Sequence, residues 1–234
     1  MTLRFDLHLH SHYSVDCLVP PERIVEAARR AGLDGIALTD HNEIEGALRL
    51  AEALKDDDLY VIPGEEIATR DGEIIGLFLK ERIPSGLPAR ETVSRIKAQG
   101  GLVYIPHPVA RGVPPRIRWP VLLEILPDVD IIEGFNARVP LATDNHRARA
   151  LALAHGKAIG AGSDAHFAFE YGRAWVEVET FHSPQEFLER LRHGRIFGER
   201  RTPYWVSGIT WTLKRIRLAW RALNARRINC GPNH

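Results

Sequence analysis

Short apolar runs alternate with amphipathic segments along most of this chain, and that alternation limits its fold more than any other feature. Eight runs have the length of strands: residues 4–8, 35–39, 59–63, 74–79, 102–106, 130–135, 158–162 and 174–178. Most intervals between them have helical spacing, as in PERIVEAARRAG, which begins at Pro21 and is stopped by Gly32. Alternating strands and helices predict an α/β protein with a parallel sheet, either open or closed as a barrel.

Composition excludes several classes of protein. A length of 234 residues suits one large domain or two small ones, and 31 Lys and Arg against 30 Asp and Glu predict no general polyanion-binding surface. Cys17 and Cys230 lie far apart and form no CxxC motif, which indicates a reducing compartment. The N-terminus has the pattern of a strand, and no run of about eighteen apolar residues occurs, so we expect neither a secretory leader nor a membrane span. We therefore expect a cytoplasmic protein.

The stretch DLHLHSHYSVD, residues 6–16, places His8 and His10 on one face of the first predicted strand, because alternate side chains of a strand point the same way. Leu7 and Leu9 would share the opposite face, which suits packing on a core. Two such imidazoles can converge on one metal ion. A pair of half-buried histidines with ordinary hydrogen bonds is the alternative at this point.

Four further predicted strands also end in imidazole or carboxylate side chains. The residues are Asp40 and His41, Glu65 and Glu66, His107, and Asp164 and His166. Taken singly, His107 between two prolines could be a turn residue, and Asp164 could be a helix N-cap. Ligands bind at the carboxyl ends of strands in parallel α/β folds, so the repetition predicts one polar rim.

The number of imidazoles and carboxylates exceeds what one tetrahedral zinc ion can use, so more than one metal ion is implied. A bridging carboxylate can hold two ions about 4 Å apart, and such a pair clamps a phosphoryl group while lowering the pKa of bound water toward about 7. Mixed nitrogen and oxygen donors suit Zn²⁺, Mn²⁺ or Fe²⁺ better than Mg²⁺ or Ca²⁺.

Five motifs, in this order, resemble the PHP (polymerase and histidinol phosphatase) superfamily of metal-dependent phosphoesterases: DLHLHSHYSVD, ALTDHN, VIPGEEI, IPHP and GSDAH. The resemblance covers residues 3 to about 200. It implies an α/β fold, a distorted seven-stranded β/α barrel of TIM-like outline, with a cluster of two or three divalent metal ions at the C-terminal ends of its strands. On this basis we expect a hydrolase domain over residues 1–206 and a tail over residues 207–234.

The resemblance also implies roles for individual residues. The implied metal ligands are His8, His10, Asp16, His41, Glu66, His107, Asp164 and His166, with Glu66 and Asp164 as bridging carboxylates. The implied catalytic residues are Asp40, His41 and His166, with Asp40 as an orienting partner or proton carrier for His41 or the bound water.

Neighbouring residues receive other interpretations. Glu65 is expected to support the site rather than bind metal, and His12 is expected on the rim, in contact with substrate or simply exposed. Cys17 could approach the metals, but a buried, inert thiol is expected. Where many family members have a histidine before GL, this chain has Glu73 or Ile74. One metal therefore loses a nitrogen ligand, binds weakly, or recruits Glu73 instead.

Arg111 and Arg138 follow predicted strands and are the candidates for binding a substrate phosphate, since guanidinium groups match phosphate geometry. Both could equally be plain surface arginines.

The tail from Ser207 contains no acidic residue and six basic ones: Lys214, Arg215, Arg217, Arg221, Arg226 and Arg227. Its apolar positions recur at helical spacing, which predicts a basic amphipathic helix. Such a helix could lie on an anionic membrane or contact nucleic acid. It could also pack a face with Trp211 and Trp220 on the barrel and leave its arginines in solvent.

The sequence as a whole predicts a stand-alone hydrolase of phosphate esters that attacks with a metal-bound hydroxide at a di- or trinuclear site. The expected partner is a phosphorylated small molecule or a short nucleic acid, and no obligate protein partner is evident. A nuclease acting on short nucleic-acid ends and a non-catalytic, metal-stabilised binding module are the alternatives.

Overall fold

A computed structural model of the chain describes residues 1–112 and 116–229. Over these residues the strands are β1 (Thr2–Leu9), β2 (Gly35–Leu38), β3 (Tyr60–Thr69), β4 (Gly72–Leu77), β5 (Leu102–Ile105), β6 (Ile131–Asn136), β7 (Ala158–Gly162), β8 (Trp175–Glu179) and β9 (Arg195–Phe197). They form one sheet in the order β7-β6-β5-β4-β3-β2-β1-β8-β9. The predicted α/β fold is confirmed. The predicted count of seven strands is wrong, because the described sheet has nine.

The sheet is mixed rather than wholly parallel. β1, β2 and β3 are parallel neighbours, and so are β5, β6 and β7, but β4 runs antiparallel to both β3 and β5. Only Arg70 and Asp71 separate β3 from β4, and so short a connection can join antiparallel strands only. Gly72, at φ +125°, follows this turn and accepts a hydrogen bond from Thr69 Oγ1 at 2.6 Å. The expectation of a wholly parallel sheet is therefore wrong at this hairpin.

The sheet nearly closes into a barrel where the end of β1 meets the segment after β7. The backbone nitrogen of His10 donates to the Ala165 carbonyl at 3.0 Å, and that of Asp164 donates to the His8 carbonyl at 2.7 Å. The first half of β1 pairs instead with β8, in antiparallel orientation. One edge of β1 is thus divided between barrel closure and the extension of the sheet into β8 and β9.

The helices of the described part are α1 (Pro21–Arg30), α2 (Glu45–Ala53), α3 (Ala89–Ala98), α4 (Trp119–Ile125), α5 (Ala142–Ala154), α6 (Pro184–Arg192) and α7 (Trp205–Asn229). Three elements were not predicted, namely α4 with 7 residues, the 3-10 helix Leu126–Asp128 that follows it, and β9 with 3 residues. All three are too short to establish a hydrophobic period in the sequence. Within the described residues, every helix is too short or too polar to cross a membrane.

Two hydrophobic clusters stabilise the sheet. The first joins helices α1 to α5 to the strands and includes Ile24, and the second includes Tyr104 and residues of α6. Leu7 belongs to the second cluster and Leu9 to the first, so these two leucines do not share one core face as expected. The pairing register of β1 with β2 shifts between Asp6 and Leu9, and such an irregularity interrupts the strict alternation of faces.

Gly162, the last residue of β7, lets β7 approach β1 closely. A Cβ atom at this position would overlap the Cβ of His8 and lie 2.8 Å from the His8 backbone nitrogen. We expect Gly162→Ala to lower the free energy of unfolding by about 2 kcal/mol, because overpacking forces the two strands apart. Urea denaturation followed by circular dichroism measures this change.

Gly208→Ala is the matched control. Gly208 is exposed in α7, and among the described residues no atom would come within 4 Å of an added Cβ. Alanine there should leave the stability unchanged or raise it by up to about 1 kcal/mol. Equal stability of the two variants would contradict the role of Gly162 in closing the barrel.

Candidate metal centre

The polar residues at five strand ends meet in one cluster. Its side chains are those of His8, His10, Asp16, His41, Glu66, His107, Asp164 and His166. The side chain of His41 is 12% exposed, and the other residues are buried. The structure therefore brings together every residue that was predicted to bind metal.

Glu66 occupies the centre of the cluster. β3 continues past the end of β2, so Glu66 forms an isolated backbone bridge with His41. Its Oε2 lies 3.0 Å from His41 Nδ1 and 3.4 Å from His10 Nε2. The same oxygen lies 3.5 Å from His8 Nε2, and Oε1 lies 3.4 Å from His107 Nε2. A carboxylate that faces four imidazoles is placed where a bridging ligand belongs.

Asp16 and Asp164 flank this centre on the side of His166. Asp16 Oδ1 lies 3.4 Å from His166 Nε2, and Oδ2 lies 3.4 Å from His41 Nε2. Asp164 Oδ1 lies 3.3 Å from His10 Nε2 and 3.6 Å from His166 Nδ1. Asp164 Oδ1 also lies 3.8 Å from His8 Nε2, so Asp16 faces two imidazoles and Asp164 faces three.

Burial and neighbouring charges set the ionisation of these groups. Burial, together with His166 and His41, lowers the pKa of His10 to about 3, so its imidazole is neutral and keeps a lone pair. Burial alone would raise the pKa of Glu66, but the imidazoles of His41 and His8 hold it well below its ordinary value. Metal ligands need neutral imidazoles and ionised carboxylates, and His10 and Glu66 are in those forms. Burial lowers the pKa of His8 and His41, but the surrounding carboxylates raise both well above the ordinary value, so these two imidazoles would release protons when a metal ion binds.

Several cluster atoms lack a hydrogen-bond partner within the described part of the chain. They are the buried atoms Asp16 Oδ1, Glu66 Oε1 and His107 Nδ1. Three subsets have ligand atoms within 4.8 Å of one another: His8, His10 and Glu66; His10, His41 and His166; and His41, Glu66 and Glu73. Unpaired buried oxygens cost free energy unless a cation satisfies them, so this donor set fits divalent metal ions.

Two of the predicted ligands have a left-handed backbone conformation. His107 has φ +31° and Asp164 has φ +51°, and such values cost about 1–3 kcal/mol in residues other than glycine. Hydrogen bonds hold both conformations, because His107 N donates to Glu133 Oε2 at 2.7 Å and Asp164 N donates to the His8 carbonyl at 2.7 Å. Backbone strain of this kind concentrates at functional sites.

Glu133 in β6 supports the cluster and was not predicted. Its Oε1 accepts hydrogen bonds from His8 Nδ1 at 2.9 Å and from the Tyr104 hydroxyl at 3.0 Å. By binding Nδ1, Glu133 leaves Nε2 of His8 to face Glu66. A lone carboxylate within the apolar run IIEGF, residues 131–135, is the signal that could have revealed this residue from the sequence.

Glu73 in β4 points into the cluster, whereas Ile74 packs in the first hydrophobic cluster. Glu73 Oε1 lies 3.8 Å from His41 Nδ1, and Oε2 lies 3.8 Å from His107 Nε2. Burial and the charge of Glu66 raise the pKa of Glu73 to about 7. Of the three expectations for this position, recruitment of Glu73 is the one that its placement favours.

Asp40 fixes the loop that follows β1. Its Oδ1 accepts from Ser11 N at 2.7 Å and from Ser14 Oγ at 2.6 Å, and its Oδ2 accepts from Ser11 Oγ at 2.6 Å. Ser14 Oγ in turn accepts from His41 N at 2.9 Å and lies 3.2 Å from His10 Nδ1. Asp40 is thus linked to His41 and His10 through Ser14.

The two predicted phosphate-binding arginines have different surroundings. Arg138 borders the cavity above the cluster, and its Nε and Nη2 donate to the two oxygens of Glu170 at 3.0 Å and 2.7 Å. Arg111 donates to Asp144 from Nη2 at 2.8 Å, has a side chain that is 51% exposed, and borders a different depression. Of the two, Arg138 is the one placed at the cluster.

Glu65, His12 and Cys17 lie around the cluster. Glu65 is fully buried and accepts from Ile83 N at 2.8 Å, while His12 is exposed and stacks on Tyr13 with ring centroids 4.7 Å apart. Cys17 is fully buried, and burial raises its pKa to about 12. Its thiol is therefore protonated at neutral pH and a poor nucleophile.

Helix α7 forms one wall of a cavity of about 490 Å³ above the cluster. Lys214 Nζ lies 3.2 Å from Asp16 Oδ2, and Arg217 Nη1 donates to the Cys17 carbonyl at 2.7 Å. Trp211 is 59% exposed and Trp220 is 65% exposed. The alternative in which the tryptophans pack on the barrel and the basic residues face solvent is wrong for these described side chains, because Lys214 and Arg217 face the barrel.

The helix begins at Trp205, near the predicted boundary between domain and tail. Cys230 and the side chains of Arg221, Arg226 and Arg227 lie outside the described part of the chain.

Comparisons with known proteins agree with this geometry. The PHP domain family model matches residues 6–160, and the PHP-associated model matches residues 142–196. An uncharacterized protein of Methanocaldococcus jannaschii is 34% identical over 200 residues, which are 81% of this chain and 79% of that protein. A second uncharacterized protein of that organism is 38% identical over 148 residues, which are 58% of this chain and 82% of that protein.

A similar solved structure is a crystal structure from Bacteroides vulgatus of a two-domain protein containing a predicted PHP-like metal-dependent phosphoesterase. It matches with a TM-score of 0.71 and 24% identity, over 85% of this chain and 65% of that one. At this identity the likeness is one of fold, and this chain spans just under two thirds of the Bacteroides protein.

We expect Glu133→Gln to weaken the binding of Zn²⁺ or Mn²⁺ by about tenfold to 100-fold, because the partner that orients His8 loses its charge. Competition against a chromogenic chelator measures the affinity. Glu189→Gln, at an exposed position of α6, is the control and should bind metal like the wild type. Wild-type affinity in the Glu133 variant would show that Glu133 does not tune the cluster.

Glu65 provides a prediction about pH. Burial raises its pKa to about 7, while the unfolded chain ionises near the ordinary value of 4.5. The folded protein therefore loses stability as the pH rises from about 4.5 to about 7, by about 3 kcal/mol in all.

Glu65→Gln removes this ionisation. We expect the difference in unfolding free energy between variant and wild type to rise by about 3 kcal/mol from about pH 4 to about pH 8. Denaturation in a chelating buffer at each pH measures it, and Glu189→Gln should give a constant difference. A constant difference for Glu65→Gln as well would rule out the raised pKa.

Proposed function

Because the chain belongs to the PHP family, we propose that it is a metal-dependent hydrolase of phosphate esters. Membership rests on the domain match over residues 6–160 and on a relative that is 34% identical over most of both chains. The observation that carries the proposed activity is the convergence of five imidazoles and at least three carboxylates, with unpaired buried oxygens, at the floor of a cavity.

The residues of the cluster divide the tasks that such a reaction needs. His8, His10, Asp16, His41, Glu66, His107, Asp164 and His166 would hold the metal ions, with Glu66 and Asp164 facing the largest numbers of imidazoles. Divalent ions held there would supply Lewis acidity to a phosphoryl oxygen and lower the pKa of water toward about 7.

Proton transfer falls to the imidazoles that border the cavity. His41 and His166 line it, so whichever of the two imidazoles does not coordinate a metal ion would hold or move a proton at the attacking or leaving oxygen. Asp40 positions His41 through the Ser14 hydroxyl, which accepts from the His41 backbone nitrogen. We assign Asp40 an orienting role on that basis.

Arg138 lies at the same cavity and is held in place from two sides. Glu170 binds its Nε and Nη2, and Thr210 Oγ1 accepts from its Nη1 at 3.0 Å. These contacts use three of the five N–H groups of the guanidinium, and the fixed group lines the cavity, where it could contact an anion. The volume of about 490 Å³ suits a phosphorylated small molecule, so we place this class ahead of a nucleic-acid end.

Metal content and turnover together test the proposal. We expect protein purified without added metal to hold two or three equivalents of Zn, Mn or Fe, and to release phosphate from at least one member of a panel of mononucleotides, bisphosphates and short oligonucleotides. Chelation should abolish the release, and returning metal should restore it.

Two variants sharpen this test. His10→Ala and Asp164→Asn should each lower kcat at least about 100-fold while the far-ultraviolet circular dichroism stays unchanged, because each removes a ligand. His146→Ala, on the exposed side of α5, is the matched control and should keep wild-type turnover. Wild-type turnover in both ligand variants would refute the metal-dependent mechanism.

The same data decide between the alternatives. Release from oligonucleotides alone, with affinity that falls steeply with salt, would identify a nuclease, because phosphate contacts release counterions. Stoichiometric metal without turnover on any substrate would favour the non-catalytic module.

A further inference from the structure

Helix α7 contributes a cation to the wall of the cavity. Lys214 lies in the third turn of α7 and lines the cavity together with Asp16, His41 and Asp164. Its Nζ lies 3.2 Å from Asp16 Oδ2, and its side chain is 35% exposed. The ammonium group is therefore in contact with the cluster on one side and accessible from the cavity on the other.

Specific contacts fix α7 in this position. Arg217 Nη1 donates to the carbonyl oxygens of Cys17 at 2.7 Å and Ser14 at 3.2 Å, in the loop that carries Asp16. Thr210 Oγ1 accepts from Arg138, and Val206 is fully buried. These contacts lie on both sides of Lys214 along the helix, so its Cα is held at a defined distance from the cluster.

Lys214 differs from the other cations near the site. Among the described residues that line the cavity, Arg138 and Lys214 are the positively charged Lys and Arg side chains. Arg138 is 7% exposed, and its guanidinium donates from Nε and Nη2 to Glu170 and from Nη1 to Thr210. Lys214 has Asp16 as its ion-pair partner, and Asp16 is itself one of the predicted metal ligands.

The charge of a phosphate ester depends on its class. A phosphate monoester carries up to two negative charges near neutral pH, whereas a diester carries one. A compact ammonium group at the edge of a metal cluster adds one positive charge, which attracts the second negative charge of a monoester. Electrostatic contacts of this kind act strongly in partly dehydrated cavities.

From this geometry we infer that Lys214 is a specificity-determining residue that contacts the phosphoryl group of the substrate and selects phosphate monoesters over diesters. The inference rests on the proposed function, since it concerns the substrate of the same site. It also accounts for the orientation of α7, whose cations at Lys214 and Arg217 face the barrel while Trp205, Ile209 and Ile216 are exposed.

Lys214→Met and Lys214→Arg in the metal-loaded full chain test this inference. We expect Lys214→Met to lower kcat/KM for p-nitrophenyl phosphate about 100-fold and to leave kcat/KM for bis(p-nitrophenyl) phosphate nearly unchanged. Lys214→Arg should retain most of the preference for the monoester, because it keeps the charge. Lys55→Met is the matched control, since Lys55 is an exposed residue whose described ion pair is with Glu52.

Two further measurements do not depend on turnover. Calorimetric titration of the metal-loaded protein with inorganic phosphate should give an affinity about tenfold weaker for Lys214→Met than for the wild type. Metal content, measured by elemental analysis, should be the same in both proteins.

The outcomes separate this inference from the proposed function. Equal losses on monoester and diester, unchanged phosphate affinity, or loss of metal from Lys214→Met would each overturn the inference, the last because Lys214 would then only balance the charge of Asp16. If the wild type hydrolyses no phosphate ester but Lys214→Met still weakens phosphate binding, the proposed function fails and the anion contact of Lys214 stands.

Discussion

The backbone pairing between the end of β1 and the segment after β7 is the interaction on which the rest of the structure depends. It joins the two ends of a run of seven neighbouring strands, and it places His8 and His10 beside Asp164 and His166. In an open sheet, the five strand ends that carry the predicted ligands would be spread along one edge. Closure turns that edge into a ring, so side chains that are distant in sequence converge on Glu66.

A buried ring of this kind is costly unless its members satisfy one another. Isolated buried charges cost several kcal/mol each, and imidazoles facing carboxylates recover part of that cost. A surrounding layer of polar groups recovers more, through Glu133 on His8, Ser14 on His10 and Asn136 Nδ2 on Asp164 Oδ2 at 3.2 Å. The unpaired oxygens that are left are the ones that metal ions would take. Stability and metal binding are therefore properties of the same set of contacts.

The sequence predicted the cluster better than it predicted the architecture around it. The residues of the cluster could be found because strand ends and short motifs are local features, and His8 to His166 all follow such signals. The hairpin of β3 and β4 could not, since buried strands are apolar whether they run parallel or antiparallel. Glu133 was missed because its role depends on closure, which brings β6 opposite His8. The tail was recognised as an amphipathic helix, but periodicity does not say which face meets the barrel. The contacts of Lys214 and Arg217 show that the face with these two residues meets the barrel, whereas Trp211 and Trp220 are exposed.

The position of α7 in the chain has a consequence for the order of assembly during synthesis. Every predicted ligand precedes α7, so all of them leave the ribosome before Lys214 does, by a few seconds at about 5–20 residues per second. During that interval metal ions could reach the cluster of a nascent barrel more easily, because α7 does not yet form one wall of the cavity. On this order the cluster could form, and could bind metal ions, before α7 completes the wall of the cavity.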